Sequence, residues 1–381
     1  MNAQTFQCKS PDEIPTKLKG CFKDGFIPTL ALVFPSISQD ISSVREVFKN
    51  TGIQVFGATT SGEFIDEEIG EDTIVVMLMD LNPEYFRLQF FDTADSCVGE
   101  ASRSLGIEGK KIFSNPAFII VSGWTNIDGE EVVKGILEGA NSDVAIYGGM
   151  AGDDLNSMDG SYVFSTDNIS KDGLLALIID ENHIKVEGIA TCGWKPVGTS
   201  KTVTKGSLNV IYTLDDKPAL DMAMKYLGSE INPDLGNEEL INIGAYFPLQ
   251  LEREDGTPVM RTVMFGNVKD RSLICAGNVP EGSKVRFSLP PDFEIIDIVA
   301  AECQDMKEKY IMEADAVIMF SCISRYLSFG VMTSEEICKV KEVWNAPFIG
   351  FFSFGEYGKS KQGNFDFHNN TCCIVTLQEK N

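Results

Sequence analysis

Three short segments of this 381-residue chain combine closely spaced glycines with hydroxyls and one acid: GATTSGEF at 57–64, YGGMAGD at 147–153 and GFFSFGEY at 350–357. Closely spaced glycines let backbone N–H groups converge on a carboxylate or carbonyl. Thr59, Thr60, Ser61 and Ser353 would add hydroxyl donors, and Gly149 a bare stretch of backbone. Glu63, Asp153 and Glu356 stand at matching points of the three segments. An amino-acid ligand would need such a carboxylate for its ammonium group and a donor for its own carboxylate, for which Arg325 is the best-placed fork. A plainer reading stands beside this one. The glycines can be tight strand bends with polar residues at the tip, and Arg325 can pair internally with one of the three acids.

Other chemistry is poorly supplied. Cys322 and His368 are the one thiol–imidazole pairing that suggests a nucleophile, but Cys322 ends the apolar run AVIMFSC, as buried structural cysteines do. No catalytic residue is assigned, and the chain is not expected to be an enzyme. Two histidines are too few for a His-rich metal centre. Carboxylate-only Ca²⁺ or Mg²⁺ binding stays open, although no segment matches an EF-hand loop; no metal or cofactor is assigned. GEYGKS (355–360) has the Gly-Lys-Ser of a P-loop, yet Ser353 stands where that loop needs glycine and a glutamate sits inside the would-be phosphate cradle. Ten cysteines without a CxxC pair fit reduced, mostly buried thiols. Alternation along TCCIVTL sends Cys372 and Cys373 to opposite faces.

The elements that carry the glycine segments recur three times. An apolar strand (Leu30 to Phe34; AFIIV; AVIMF) leads into an amphipathic helix and a second apolar strand that runs into the glycines. The expected helix caps are Ser38, Asp128 with Glu131 at the capping-box position, and Thr333 with Glu336. From cap to first glycine the spacing is 19 residues (Ser38 to Gly57), 20 (Asp128 to Gly148) and 17 (Thr333 to Gly350). A crossover helix implies a parallel strand pair, and the closely spaced strands that follow each glycine turn should add antiparallel neighbours. The expected fold is α+β: mixed sheets of repeated β-α-β-β units with helices packed on the sheet faces. A helix is expected from near Pro218 and a β-meander from Tyr246 to Leu289. The polar segment EINPDLGNEEL places a domain boundary near residue 230, giving an N-terminal extension (1–26), a first domain (27–229) and a second (230–381).

The formal charge of −24, from 32 basic and 56 acidic residues, makes nucleic acid and anionic membrane poor partners. The N-terminus lacks the apolar core of a signal peptide, and no stretch approaches the ~18 consecutive apolar residues of a membrane span. A cytoplasmic protein without membrane insertion is expected.

In their order and number the motifs resemble the FIST family, F-box and intracellular signal transduction proteins. Besides the first two glycine segments, GWKPVGTSKTVTKGSLNVIYTLDDKPALDMAMKYLG (193–228) resembles its N-terminal half. YFPLQLEREDG (246–256), GNVPEGSKVRF (277–287), FSCISRYLSFG (320–330), GFFSFGEY and HNNT (368–371) resemble its C-terminal half. The likeness covers roughly residues 27 to 375. It implies a sensory domain that binds small ligands, with amino acids among the candidates, and works in intracellular signal transduction. Prokaryotic relatives are often joined to output domains and some eukaryotic ones follow an F-box. The short segments outside the likeness leave room for neither here, so the expected partners are a small-molecule ligand and a separate, unidentified signalling protein. An adaptor without a ligand and a hydrolase using Cys322 are the alternatives.

Overall fold

The computed structural model describes every residue except 24, 67, 95, 155–159, 228–243, 255–256, 290, 311–312, 362 and 381. Each repeated unit is a parallel crossover closed by an antiparallel strand. In the first, Leu30–Pro35 and Gln54–Ala58 are parallel across the helix Ile41–Lys49, and Ile74–Met79 pairs antiparallel on the other side. The second repeats this with Pro116–Ser122, the helix Gly129–Ala140, Ile146–Met150 and Gly173–Asp180. The third uses Ala316–Cys322, the helix Thr333–Trp344, Phe348–Ser353 and Cys372–Glu379. The first strand of each unit is buried along its whole length, as a strand covered on both faces requires.

Between its second and last strands each unit sends a short hairpin away. The hairpin Glu63–Ile65/Glu68–Gly70 pairs with Phe348–Ser353 of the third sheet. Val163–Phe164/Ile169–Ser170 pairs with Gln54–Ala58 of the first, and Glu356–Lys359/Phe365–His368 with Ile146–Met150 of the second. The exchange is cyclic, and each hairpin covers a largely buried strand that would otherwise be a sheet edge. The antiparallel neighbours expected after each glycine turn are the returning strands, whereas the short hairpins take the open edge of a neighbouring sheet.

The inner faces of the three sheets share one core that includes Phe34, Ile119, Leu177, Phe320, Phe351 and Cys373. The helices pack on the outer faces. Cys372 belongs to the outer cluster of the third sheet while Cys373 faces inward, so alternation separates them as read, and all ten cysteines are free. The helix Val98–Ile112 stands outside the three expected units. It lies against Gly129–Ala140 so closely that a Cβ on Gly139 would stand 2.0 Å from the Arg103 carbonyl oxygen.

A fourth sheet of eight strands runs from Pro196–Ser207 to Lys284–Ser288 and buries its own cluster under the helix Ala219–Leu227. The boundary expected near residue 230 lies outside the described residues. Across it, Pro196–Ser207 pairs antiparallel with Lys284–Ser288, and Ile184–Thr191 with Cys372–Glu379, so the two halves share sheets. Residues 1–26 are likewise no appendage: Ala3–Cys8 pairs with Ile74–Met79, and Phe6, Ile14, Leu18 and Phe26 are buried against the first sheet. Of the expected caps, Asp128 accepts from the Glu130 and Glu131 N–H groups. Asp40, not Ser38, caps the first helix by accepting from Ser42 and Ser43. Thr333 caps nothing, because the chain enters its helix through the turns Ile323–Phe329 and Gly330–Met332.

Candidate functional site

The three glycine segments are the points where the chain leaves one sheet for the next, and they meet. Gly152 N–H donates to the Thr59 carbonyl (2.8 Å), Phe352 N–H to Gly62 (2.8 Å) and Met150 N–H to Gly355 (2.8 Å). Glu63 and Glu356 occupy equivalent places, each the first residue of an exchanged hairpin and each fully buried. Glu63 accepts from Thr60 Oγ1 (2.6 Å), Thr73 N (2.8 Å) and Thr73 Oγ1; Glu356 accepts from Ser353 Oγ (2.7 Å) and Thr371 Oγ1 (2.8 Å). Thr73 and Thr371 each stand just before the last strand of their unit, so both acids tie a departing hairpin to the strand that returns. Burial pushes the Glu63 carboxyl up to about 7 and that of Glu356 to about 8, against the pull of the hydroxyl donors.

The second bend is held differently. Asp153 accepts from the Asp154 (2.7 Å) and Gly160 N–H groups, while Ser61 Oγ donates to the Asp153 carbonyl (2.7 Å) and accepts from its N–H (3.0 Å). Thr59 Oγ1 donates to Gly152 O (2.9 Å) and accepts from Tyr162 N (2.8 Å), and Gly149 pairs with Glu356 in the second sheet. The bends thus gather, and their hydroxyls and acids satisfy one another. Of the expected ligand residues, Thr60, Ser61 and Asp153 line an open pocket of about 400 Å³.

Arg325 lies elsewhere. Fully buried, it donates through Nε and Nη2 to the two oxygens of Glu336, and through Nη1 to the carbonyls of Cys192 (2.8 Å) and Asn370 (3.0 Å). Its guanidinium is 5.1 Å from the Trp194 ring centre and 4.7 Å from that of Phe329. The expected fork therefore has a protein partner, and that partner is none of the three bend acids. Cys322 and His368 line different cavities. Burial, then the charge of Glu356, pushes the Cys322 thiol well up, and burial with the Arg261 guanidinium pushes the His368 imidazole down to about 3.

A cavity of about 670 Å³ opens between the third sheet, the hairpin that ends at His368 and the eight-stranded sheet. Arg325 holds one wall through Cys192, and Trp194 packs beside it, with Nε1 donating to Tyr246 O (3.2 Å). Lys195, Arg253, Arg286 and Lys361 line this cleft against two acids, Glu252 and Glu302. Arg286 meets Glu252 through Nε (2.7 Å) and Arg253 meets Asp366 through Nη2 (3.2 Å), each a single-nitrogen contact of a five-donor group. These residues were not picked from sequence. A signal was present, since GWKP, LQLER, KVRF and HNNT all contribute to this one wall system, but they span residues 193 to 371 and converge only in the fold.

Among the described residues no group of three or more metal-ligating side chains converges, and no helix is long and apolar enough to cross a membrane. The FIST N domain matches residues 29–217 and the FIST C domain residues 219–359, meeting just before the helix Ala219–Leu227. An uncharacterized protein of Methanocaldococcus jannaschii is 23% identical over 322 residues, covering 79% of this chain and 60% of the relative. The chain thus spans about 60% of the length of that relative. With both domains matched in order over most of its length, this chain belongs to the FIST family.

Proposed function

We propose that this chain is a ligand-binding sensor whose anionic small molecule, an amino acid or a related carboxylate, occupies the 670 Å³ cleft, and that it signals through a separate protein partner without catalysing a reaction. The observation that carries this reading is the lining: two guanidinium groups, Arg253 and Arg286, reach the cleft with one carboxylate contact each, beside Lys195, which pairs with Asp292 and Glu294, and Lys361, which pairs with Asp305. Each guanidinium has more donors than its one ion pair uses, and those donors suit an anion in the cleft. Its walls come from both FIST halves, with Thr191 and Lys195 in the first and Gln250, Arg253 and Arg286 in the second, so a ligand that bridges them biases how the halves sit. A buried thiol and a neutral, buried imidazole in separate cavities favour binding over nucleophilic chemistry.

The test is a thermal-shift panel of amino acids and mono- and dicarboxylates on the wild type, Arg253→Ala and Arg286→Ala. The expected result is a saturable rise in Tm that both variants weaken. A panel in which no anion raises the wild-type Tm overturns the proposal.

A further inference from the structure

We infer that the chain carries a second binding site, an apolar pocket beside the second and third glycine bends, and that its ligand is an uncharged aromatic small molecule. This pocket stands apart from the cleft: it shares no lining residue with it, and its volume of about 400 Å³ lies within the range of small-molecule sites. Trp124 and Met150 of the second unit, Leu327 and Phe354 of the third, and Phe265 and Ile274 of the eight-stranded sheet form its walls. Met150 and Phe354 belong to the glycine segments themselves. Their backbones are tied where those segments cross, Phe354 N–H donating to the Met150 carbonyl (3.3 Å) and Met150 N–H to that of Gly355 (2.8 Å). Both FIST domains supply walls, so the site is built where three parts of the fold meet.

The lining selects the class of ligand. Among the described residues these walls hold no Asp, Glu, Lys, Arg or His, whereas the cleft presents cations and the pocket at the first bend presents Glu71, Asp72, Asp153 and Asp154. Two thiols stand on the wall, and burial keeps both protonated: it pushes Cys275 up to about 12 and Cys322 well above its ordinary range. The wall's other polar groups are engaged within the protein. Thr262 Oγ1 donates to Asn370 Oδ1 and lies 3.4 Å from Ser324 Oγ, and Asn209 Nδ2 donates to the Cys275 carbonyl (2.8 Å). A charged ligand would enter without a counter-ion and lose its hydration. Trp124, Phe265, Ile274, Leu327 and Phe354 are only half-buried, so apolar surface is left facing water that a ligand would cover. An aromatic ring suits them, because the Trp124 and Phe354 rings already meet edge to face at 5.1 Å and the thioethers of Met150 and Met264 adapt to a flat ligand.

The probe is N-phenylnaphthylamine, uncharged and fluorescent in apolar surroundings, titrated into the full chain and then displaced by naphthamide or by naphthoate, which differ chiefly in charge. Expected is a saturable site from which naphthamide displaces the probe at least about tenfold more tightly than naphthoate. Succinate, an anion suited to the cleft, leaves the probe in place. Phe265→Glu and Leu327→Asn, on different walls, each weaken probe binding by about tenfold or more.

No saturable binding, equal displacement by naphthamide and naphthoate, or displacement by succinate overturns the inference. Binding that neither variant weakens marks adsorption elsewhere on the surface and overturns it too. Should one variant not fold, the other decides; should both fail, the naphthamide preference of the wild type decides. Probe binding that appears only on dilution to a monomer gives the pocket to a second copy of the chain and overturns the small-molecule assignment. None of these outcomes bears on the cleft, and a cleft that binds no acid leaves this pocket as it is.

Discussion

Arg325 and Glu336 form a fully buried two-point ion pair, with Nε 3.1 Å from one carboxylate oxygen and Nη2 on the other. Because the same guanidinium also holds the Cys192 carbonyl, the pair fixes the end of the strand Ile184–Thr191 where it enters the cleft. Removing one partner of such a pair leaves a bare buried charge. Glu336→Ala should therefore lose about 3–5 kcal/mol in urea denaturation, and at equal folded fraction it should weaken any cleft ligand. A loss below about 1 kcal/mol, the range of an exposed pair, would contradict the assignment.

The buried acids of the bends predict a pH dependence whose sign is fixed. The carboxyls of Glu63 and Glu356 stand at about 7 and about 8 in the folded protein against an ordinary 4.5, so between those values the native state binds protons that the unfolded state has released. Stability then falls as pH rises from about 4.5 to about 8, by on the order of 3–5 kcal/mol for each acid. Chemical denaturation from pH 5 to 9 should show the decline, and Glu63→Gln with Glu356→Gln should flatten it. A wild-type profile already flat across that range would show that the hydroxyl donors hold both acids ionised.

Much of this arrangement was legible in the sequence, and the residues that were not share a cause. The crossover units could be read because helix and strand periods are local, as in Val132, Val133 and Ile136 on one face of Gly129–Ala140. The acids at matching bend positions were visible too. Their roles were not, since Thr73 and Thr371, which partner Glu63 and Glu356, lie ten and fifteen residues further along. Which sheet receives a three-residue strand such as Glu63–Ile65 depends on which edge stands open beside it. Glu336 sits at a spacing that reads as a capping box, and only the fold turns it toward Arg325.

Thiol reactivity should follow exposure. Cys97 is the exposed cysteine among the ten, whereas burial raises the Cys322, Cys303 and Cys372 thiols well above their ordinary range. A mild electrophile followed by peptide mapping should label Cys97 first and leave Cys322 unmodified until the protein unfolds. Early modification of Cys322 in the native protein would revive a nucleophilic role for it.

The first bend gives a sharper test of why the glycines are there. Gly62 has φ +119°, a region that side chains with a Cβ rarely adopt, and an added Cβ would lie 2.9 Å from the Phe352 ring. Its carbonyl also accepts from Phe352 N–H at 2.8 Å, so the residue that needs glycine's freedom is the one that hands the chain from the first sheet to the third. Gly62→Ala should then destabilise by about 1–3 kcal/mol, seen as a lower Tm with the hairpin Glu63–Ile65/Glu68–Gly70 losing hydrogen-exchange protection first. If the exchange of hairpins is what the bend secures, protection in Phe348–Ser353, the strand that receives it, should fall with it. Loss of ligand binding at unchanged stability would instead assign the glycine to a backbone site for the ligand.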